Sequence, residues 1–305
     1  MTDPGIRLRA LLAAAWGDSD QVRASWRRWR TLLPDLDDIH GAEIAVVPVA
    51  WHRVRSVGIH DADEGRLRGL QRRASVQAAD RLAACVAIQA DLRDRGIPTL
   101  VGGRVAAALA YPAGARWPTV TAELLIDPAD VGAALAGRRP PTRDRLRGRT
   151  PAQPGTPHIM LRWRQPDRRS PIAAGGSRTA QWQGRTLESA LPHEVAYQCL
   201  LRGLLPVAPG DPGQAQALLD LHLLTADPLF DDGAFARAVN TSGWCAAIAV
   251  HARAWVDVLP PQLTALLTGD PRGIDLRDGT GIAPWGNLQA RATATAVRAH
   301  ARLSR

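Results

Sequence analysis

Lysine is absent from this chain, so all 38 of its Lys and Arg residues are arginine. This excludes a phosphate-binding loop that ends in lysine, a Schiff-base lysine and a lysine general base. We read the bias as a genomic habit rather than a functional choice. Cysteine is scarce, and Cys85, Cys199 and Cys245 stand alone, with no CxxC pair. Neither a zinc ribbon nor a disulfide framework is supported, and each cysteine reads as a small buried apolar residue. The 8 histidines form no HxH or HExxH pair, and no serine sits in a Gly-x-Ser-x-Gly turn. A metal site or hydrolase of those kinds is therefore unsupported. There is no Gly-x-Gly-x-x-Gly turn of a dinucleotide-binding fold. No run of 18 apolar residues is long enough to cross a membrane. The opening MTDPGIRLRALLAAAWGDSD reads as an amphipathic helix rather than a signal peptide. The expectation is a cytoplasmic, reduced setting without membrane contact.

What is present is ordinary for a globular protein: 305 residues, 46% hydrophobic and 22% charged, enough to bury a core without staples. The net charge of +9 is concentrated. Arg138, Arg139, Arg143, Arg145, Arg147, Arg149, Arg162, Arg164, Arg168, Arg169, Arg178 and Arg185 are opposed only by Asp144 and Asp167. One reading is an anion site for nucleic acid, an acidic peptide or a phosphorylated ligand, since guanidinium forks grip phosphate and carboxylate in two places. The other is a solvated loop. Arg162 and Arg164 are the strongest functional candidates, being two apart on one strand face. The run Ser25-Trp26-Arg27-Arg28-Trp29-Arg30 puts two tryptophans on one helix face. Packing against the next helix is favoured there over base stacking or membrane contact.

The apolar spacing predicts a helical region over 1–95. Its clearest pattern runs from Arg66 to Arg95, with Gly96 as the stop. The period then changes. Ile97–Val101 reads as a strand entering the Gly102-Gly103 turn, followed by a helix over Arg104–Tyr111. Thr119–Ile126 and His158–Arg164 read as further strands, and Arg178–Arg185 as a fourth. Pro128 suits the first turn of a helix through Ala136. Residues 137–157, rich in Pro, Gly and Arg, read as an exposed loop. Helices are predicted over 192–205, 213–226, 232–240, 243–258 and 260–268. His251 falls among Trp244, Ile248 and Trp255 at helical spacing and reads as a core or boundary residue. The chain thus divides into a helical region (1–95), an α/β core (96–190), a second helical region (191–270) and a turn-rich basic tail (271–305). No internal repeat is visible.

One ordered set of segments resembles a known family. Gly96-Ile97-Pro98, Gly103, Tyr111-Pro112, Pro118, Leu124-Leu125-Ile126, Pro128 and Asp130 fall in step with an uncharacterised nucleotidyltransferase family of the DNA polymerase β-like superfamily. The likeness extends to VVPVAWHRV upstream and to IMLRWR, LPHEVAYQCLL and LLDLHLL downstream, covering about residues 40–255. It implies an α+β fold, a small mixed sheet of nucleotidyltransferase type flanked by N-terminal and C-terminal helices.

In such a site two carboxylates two residues apart on one strand, with a third from a neighbouring strand, hold two Mg²⁺ ions against nucleotide phosphates. A glycine turn brings backbone N–H groups to the phosphates. This chain departs from that pattern. The first acid position is Thr121, the second is Glu123 and the third is Met160; Gly102 replaces the lysine before the turn glycine. Asp127 shares the parity of Glu123 but lies about 13 Å further along an extended strand. By resemblance, Gly102, Gly103, Arg104, Thr121, Arg162 and Arg164 are candidates for nucleotide binding. Glu123 is the candidate metal ligand and, with Asp127 assisting, the candidate catalytic residue. The bland alternative for Gly102-Gly103 is a tight strand-to-helix turn. Three functions follow: a degenerate, pseudoenzyme-like relative binding a nucleotide, another anion, a peptide or a partner protein; an active Mg²⁺-dependent transferase modifying a small molecule or peptide; or, less favoured, a basic nucleic-acid-binding module.

Overall fold

The structure, a computed structural model, describes residues 4–39, 41–112, 114–116, 122–127, 130–135, 159–163, 176–204, 212–241, 248, 252, 255–257, 259 and 261–268. It is a mixed α+β protein. Helices α1 (Pro4–Trp16), α2 (Ser19–Leu32), α3 (Gly41–Ser56) and α4 (Glu64–Asp94) precede the sheet. Asp18 caps α2 by accepting from the Asp20 and Gln21 amides at 3.0 and 2.9 Å. α3 is apolar nearly all round, and every residue from Ala45 to Trp51 is buried. Such a helix needs neighbours on several sides, and α3 packs against α1, α4 and one of the later helices. Pro48 lies inside α3, where it withholds one backbone donor; burial of the surrounding face outweighs that loss. α4 ends as expected at Gly96, where the Ile97 amide reaches back to the Leu92 carbonyl at 2.8 Å.

The tryptophans at 26 and 29 form core, not a surface platform. Trp26 and Trp29 are buried, with ring centres 4.7 Å apart, and Trp51 stacks beside Trp26 at 5.7 Å.

The sheet holds five strands: β1 (Thr99–Gly102), β2 (Ala122–Ile126), β3 (Ile159–Trp163), β4 (Ser177–Trp182) and β5 (Arg185–Ala190), in the spatial order β3-β2-β1-β5-β4. Pairing is mixed. β1 runs antiparallel to β2 and parallel to β5; β2 and β3 are parallel; β4 and β5 form an antiparallel hairpin. The β1–β5 junction has a single registered pair, Val101 with Ser189. Gln89 of α4 strengthens it, donating to the Thr99 and Glu188 carbonyls at 2.7 and 2.8 Å and accepting from the Glu188 amide at 2.9 Å.

Two short helices interrupt the sheet, α5 (Gly103–Ala107) after β1 and α6 (Val131–Leu135) after β2. Among the described residues four more follow it: α7 (Pro192–Leu204), α8 (Pro212–Thr225), α9 (Asp232–Thr241) and α10 (Pro261–Thr268). Two expectations are revised. The helix expected through Tyr111 closes at Ala107 and continues as turns. The strand expected over Thr119–Ile126 is present over Ala122–Ile126, and its first three residues lie outside the described residues. The single strand expected over Arg178–Arg185 is two, joined at Gln183-Gly184, both with positive φ (47° and 73°), the turn that suits a two-residue hairpin. The expected loop 137–157, the helix 243–258 apart from its few described residues, and the tail 271–305 lie outside the described residues. No helix among the described residues is long and apolar enough to cross a membrane.

Candidate functional site

The sheet register sets three candidate positions side by side. Gly102 of β1 stands opposite Glu123 of β2, and Glu123 stands opposite Met160 of β3. These are the positions expected, from the resemblance, to hold the turn glycine, the second acid and the third acid. Directly opposed residues on neighbouring strands are close neighbours on one face. Two residues along, Leu100, Leu125 and Arg162 form another row. The sheet thus puts Arg162 two residues beyond Met160, on the strand next to Glu123. Thr121 and Arg164 lie outside the described residues.

Glu123 is 2% exposed. Its strand packs against α4. There Cys85 is buried, and its thiol is pushed up to about 12 by burial first and then by the charge of Glu123, with Arg81 acting the other way. Asp127 follows the last residue of β2 and is exposed. The two acids occupy different environments. The oxygen-rich shell that a magnesium pair requires has, in the Gly102–Glu123–Met160 row, one carboxylate, one thioether residue and one glycine to draw on. That donor set does not fit two magnesium ions.

The glycine turn is built for close approach. A Cβ on Gly102 would lie 2.7 Å from Leu125 Cγ, so any side chain there must displace a buried leucine. Gly103 has φ +56°, the left-handed region that side chains adopt only with strain. Its N–H donates to Gln198 Oε1 of α7 at 2.8 Å. In this structure that amide therefore serves a protein contact, which fits the bland reading of the turn.

Around this contact lies a polar cluster that sequence reasoning did not assign. Arg104 donates to Gln216 Oε1 of α8 at 3.1 Å. The Tyr111 hydroxyl donates to Asp220 Oδ1 of α8. Gln198 also reaches Glu194, one turn earlier in α7, at 3.5 Å. Asp220 is 1% exposed and its other oxygen, Oδ2, has no hydrogen-bond partner. Burial pushes its carboxyl up to about 6, against the opposing influence of Arg104, Tyr111 and Cys199. Burial and the neighbouring Asp220 also hold the Tyr111 hydroxyl well above its ordinary value. A signal for Asp220 was visible in the sequence, where it is flanked by leucines in the helical segment LLDLHLL; Gln198 lies among other polar residues in LPHEVAYQCLL.

The remaining arginines divide. Arg178 is committed to Asp227 in a largely buried pair, whereas Arg185 is exposed on β5. No family model, no curated protein and no solved structure matches the chain.

Proposed function

We propose that this protein is a divergent nucleotidyltransferase-like relative of the DNA polymerase β-like superfamily whose metal centre has decayed. In this reading it binds a nucleotide or a similar anionic ligand rather than transferring nucleotidyl groups efficiently. One observation carries the reading: the positions that the resemblance assigns to the turn glycine, the second acid and the third acid stand in a single row across three strands. An ordered set of sequence segments has no need to fall into such a row unless the fold relates them. Two further facts favour loss of transfer over its retention. Of the three acid positions that the resemblance assigns, only Glu123 carries a carboxylate, and it is buried on a strand packed against α4, where a hydrated metal and a substrate phosphate would have to be admitted together. With no lysine in the chain, Arg162 is the cation on the strand beside Glu123 that is best placed by register to meet an anion.

The test is binding of a nucleoside triphosphate in chelator and in Mg²⁺, followed calorimetrically alongside a nucleotide-consumption assay. The expected result is binding that does not require metal, weakened about tenfold by Arg162→Ala, as loss of a charge-assisted contact would do. Mg²⁺-dependent consumption that disappears in Glu123→Ala would instead establish an active transferase. Absence of triphosphate binding in either condition sinks the nucleotide reading.

A further inference from the structure

Three hydrogen bonds tie the segment after β1 to the paired helices α7 and α8. They join Gly103 to Gln198, Arg104 to Gln216 and Tyr111 to Asp220, across 95, 112 and 109 residues of sequence respectively. The first engages the amide of a glycine in the left-handed region. The last rests on a carboxyl that is wholly buried, with one oxygen accepting from Tyr111 and the other without a hydrogen-bond partner. We propose that α7 and α8 form a proton-operated latch on the glycine turn: protonated Asp220 keeps the helix pair closed on Gly103, and ionised Asp220 loosens it and uncovers the Gly103 amide. This goes beyond the ligand reading above and does not depend on it.

The physical argument is the cost of a buried charge. A neutral carboxyl sits at this depth with the Tyr111 hydroxyl and the Cys199 thiol beside it and one oxygen unpartnered. A carboxylate needs more donors than these two supply, and its unpartnered oxygen meets water only if α8 withdraws from Tyr111. The Cys199 thiol of α7 and Arg104 of α5 both favour the charged form, yet burial outweighs them, so ionisation occurs near neutrality. Among the described residues, the charged groups of the other elements packed on α8 are engaged elsewhere. Arg7 of α1 and Glu43 of α3 are engaged with each other, Arg9 of α1 pairs with Asp257, and Arg53 of α3 reaches the Gly17 carbonyl. His52 of α3 is held low by burial and by Arg55. On α7, His193 is held low by burial, and Glu194 bonds to Gln198. The α10 segment PQLTALLT has no titratable side chain. His222, on α8 itself, is pushed down to about 4 by burial and so stays neutral across the same range.

The experiment is amide hydrogen exchange of the full chain by NMR, corrected for the intrinsic rate, at about pH 5 and about pH 8. The Gly103 amide is expected to lose about tenfold or more of its protection at the higher pH while the Leu124 amide of β2 keeps its own. In Asp220→Asn, Gly103 is expected to stay protected at both values. Tyr111→Phe, which keeps the ring, is expected to lower protection at acid pH and serves if the asparagine variant fails to fold. A Gly103 amide unprotected at pH 5, parallel losses at Gly103 and Leu124, or an unchanged pH profile in Asp220→Asn would each overturn the latch.

Discussion

Two buried polar centres lie in different parts of the molecule and are finished differently. In the first helical region Arg7 enters the core at 6% exposure and meets Glu43 at 2%. Arg7 Nε donates to Glu43 Oε1 at 3.0 Å, its NH2 group also bonds Glu43 Oε2 and the Asp38 carbonyl, and Trp29 Nε1 donates to Glu43 Oε1 at 2.8 Å. Both charges are matched by geometry and by donors. In the second centre Asp220 has one hydroxyl on one oxygen and no hydrogen bond on the other. A completed network locks a core in one arrangement, whereas an incomplete one leaves a group that changes state. The first centre is therefore a fixed joint between α1, α2 and α3. The second is where the fold retains a response to its surroundings.

The comparison is broken most forcefully from the first centre. Glu43→Ala leaves Arg7 buried without its partner and Trp29 without an acceptor, and is expected to lower unfolding free energy by roughly 3–5 kcal/mol in denaturant titration. A loss under about 1 kcal/mol would mean that the network is not a joint at all.

The second centre predicts a dependence on pH. The Asp220 carboxyl is raised from 3.8 to about 6 on folding, so its native state holds the proton more tightly than the unfolded chain. The stability this provides is fully present below about pH 4 and is lost as pH rises through about 6, on the order of 3 kcal/mol in all. Asp220→Asn should remove this component of the profile and leave the contribution of the first centre untouched. Equal pH profiles for the two proteins would erase the contrast. The smallest effect sharpens the link between the second centre and the turn that it holds. Gly103→Ala forces a side chain into a left-handed conformation and is expected to cost roughly 1–2 kcal/mol, read as a shift in thermal midpoint. No shift would mean that the turn relaxes freely and that Gln198 does not hold it.

Much of the architecture was legible along the chain. The long helix from near Arg66 to its stop at Gly96, β1 running into Gly102, and helices beginning at Pro192 and close to residue 213 all follow from period and punctuation. The hairpin after Gly176 was half legible: Gln183-Gly184 marks a turn, but the pairing of β5 beside β1 depends on Gln89, about a hundred residues earlier. The candidate row was legible as a set of positions and not as a place. Nothing local to Glu123 announces that α4 will cover it. The Asp220 centre was the least legible, because its members come from three separate stretches of chain.

By itself, then, the sequence determined the helical and extended segments, the lysine-free basic chemistry and the presence of one acid, Glu123, at the candidate row, because these depend on residue identity and on neighbours within a few positions. Tertiary structure alone decided the strand order, the alignment of Gly102, Glu123 and Met160, the burial of Glu123 and the half-satisfied state of Asp220. Those properties depend on which distant groups exclude water from one another, and a carboxyl's behaviour is set by the donors that fold around it rather than by the residues beside it in the chain.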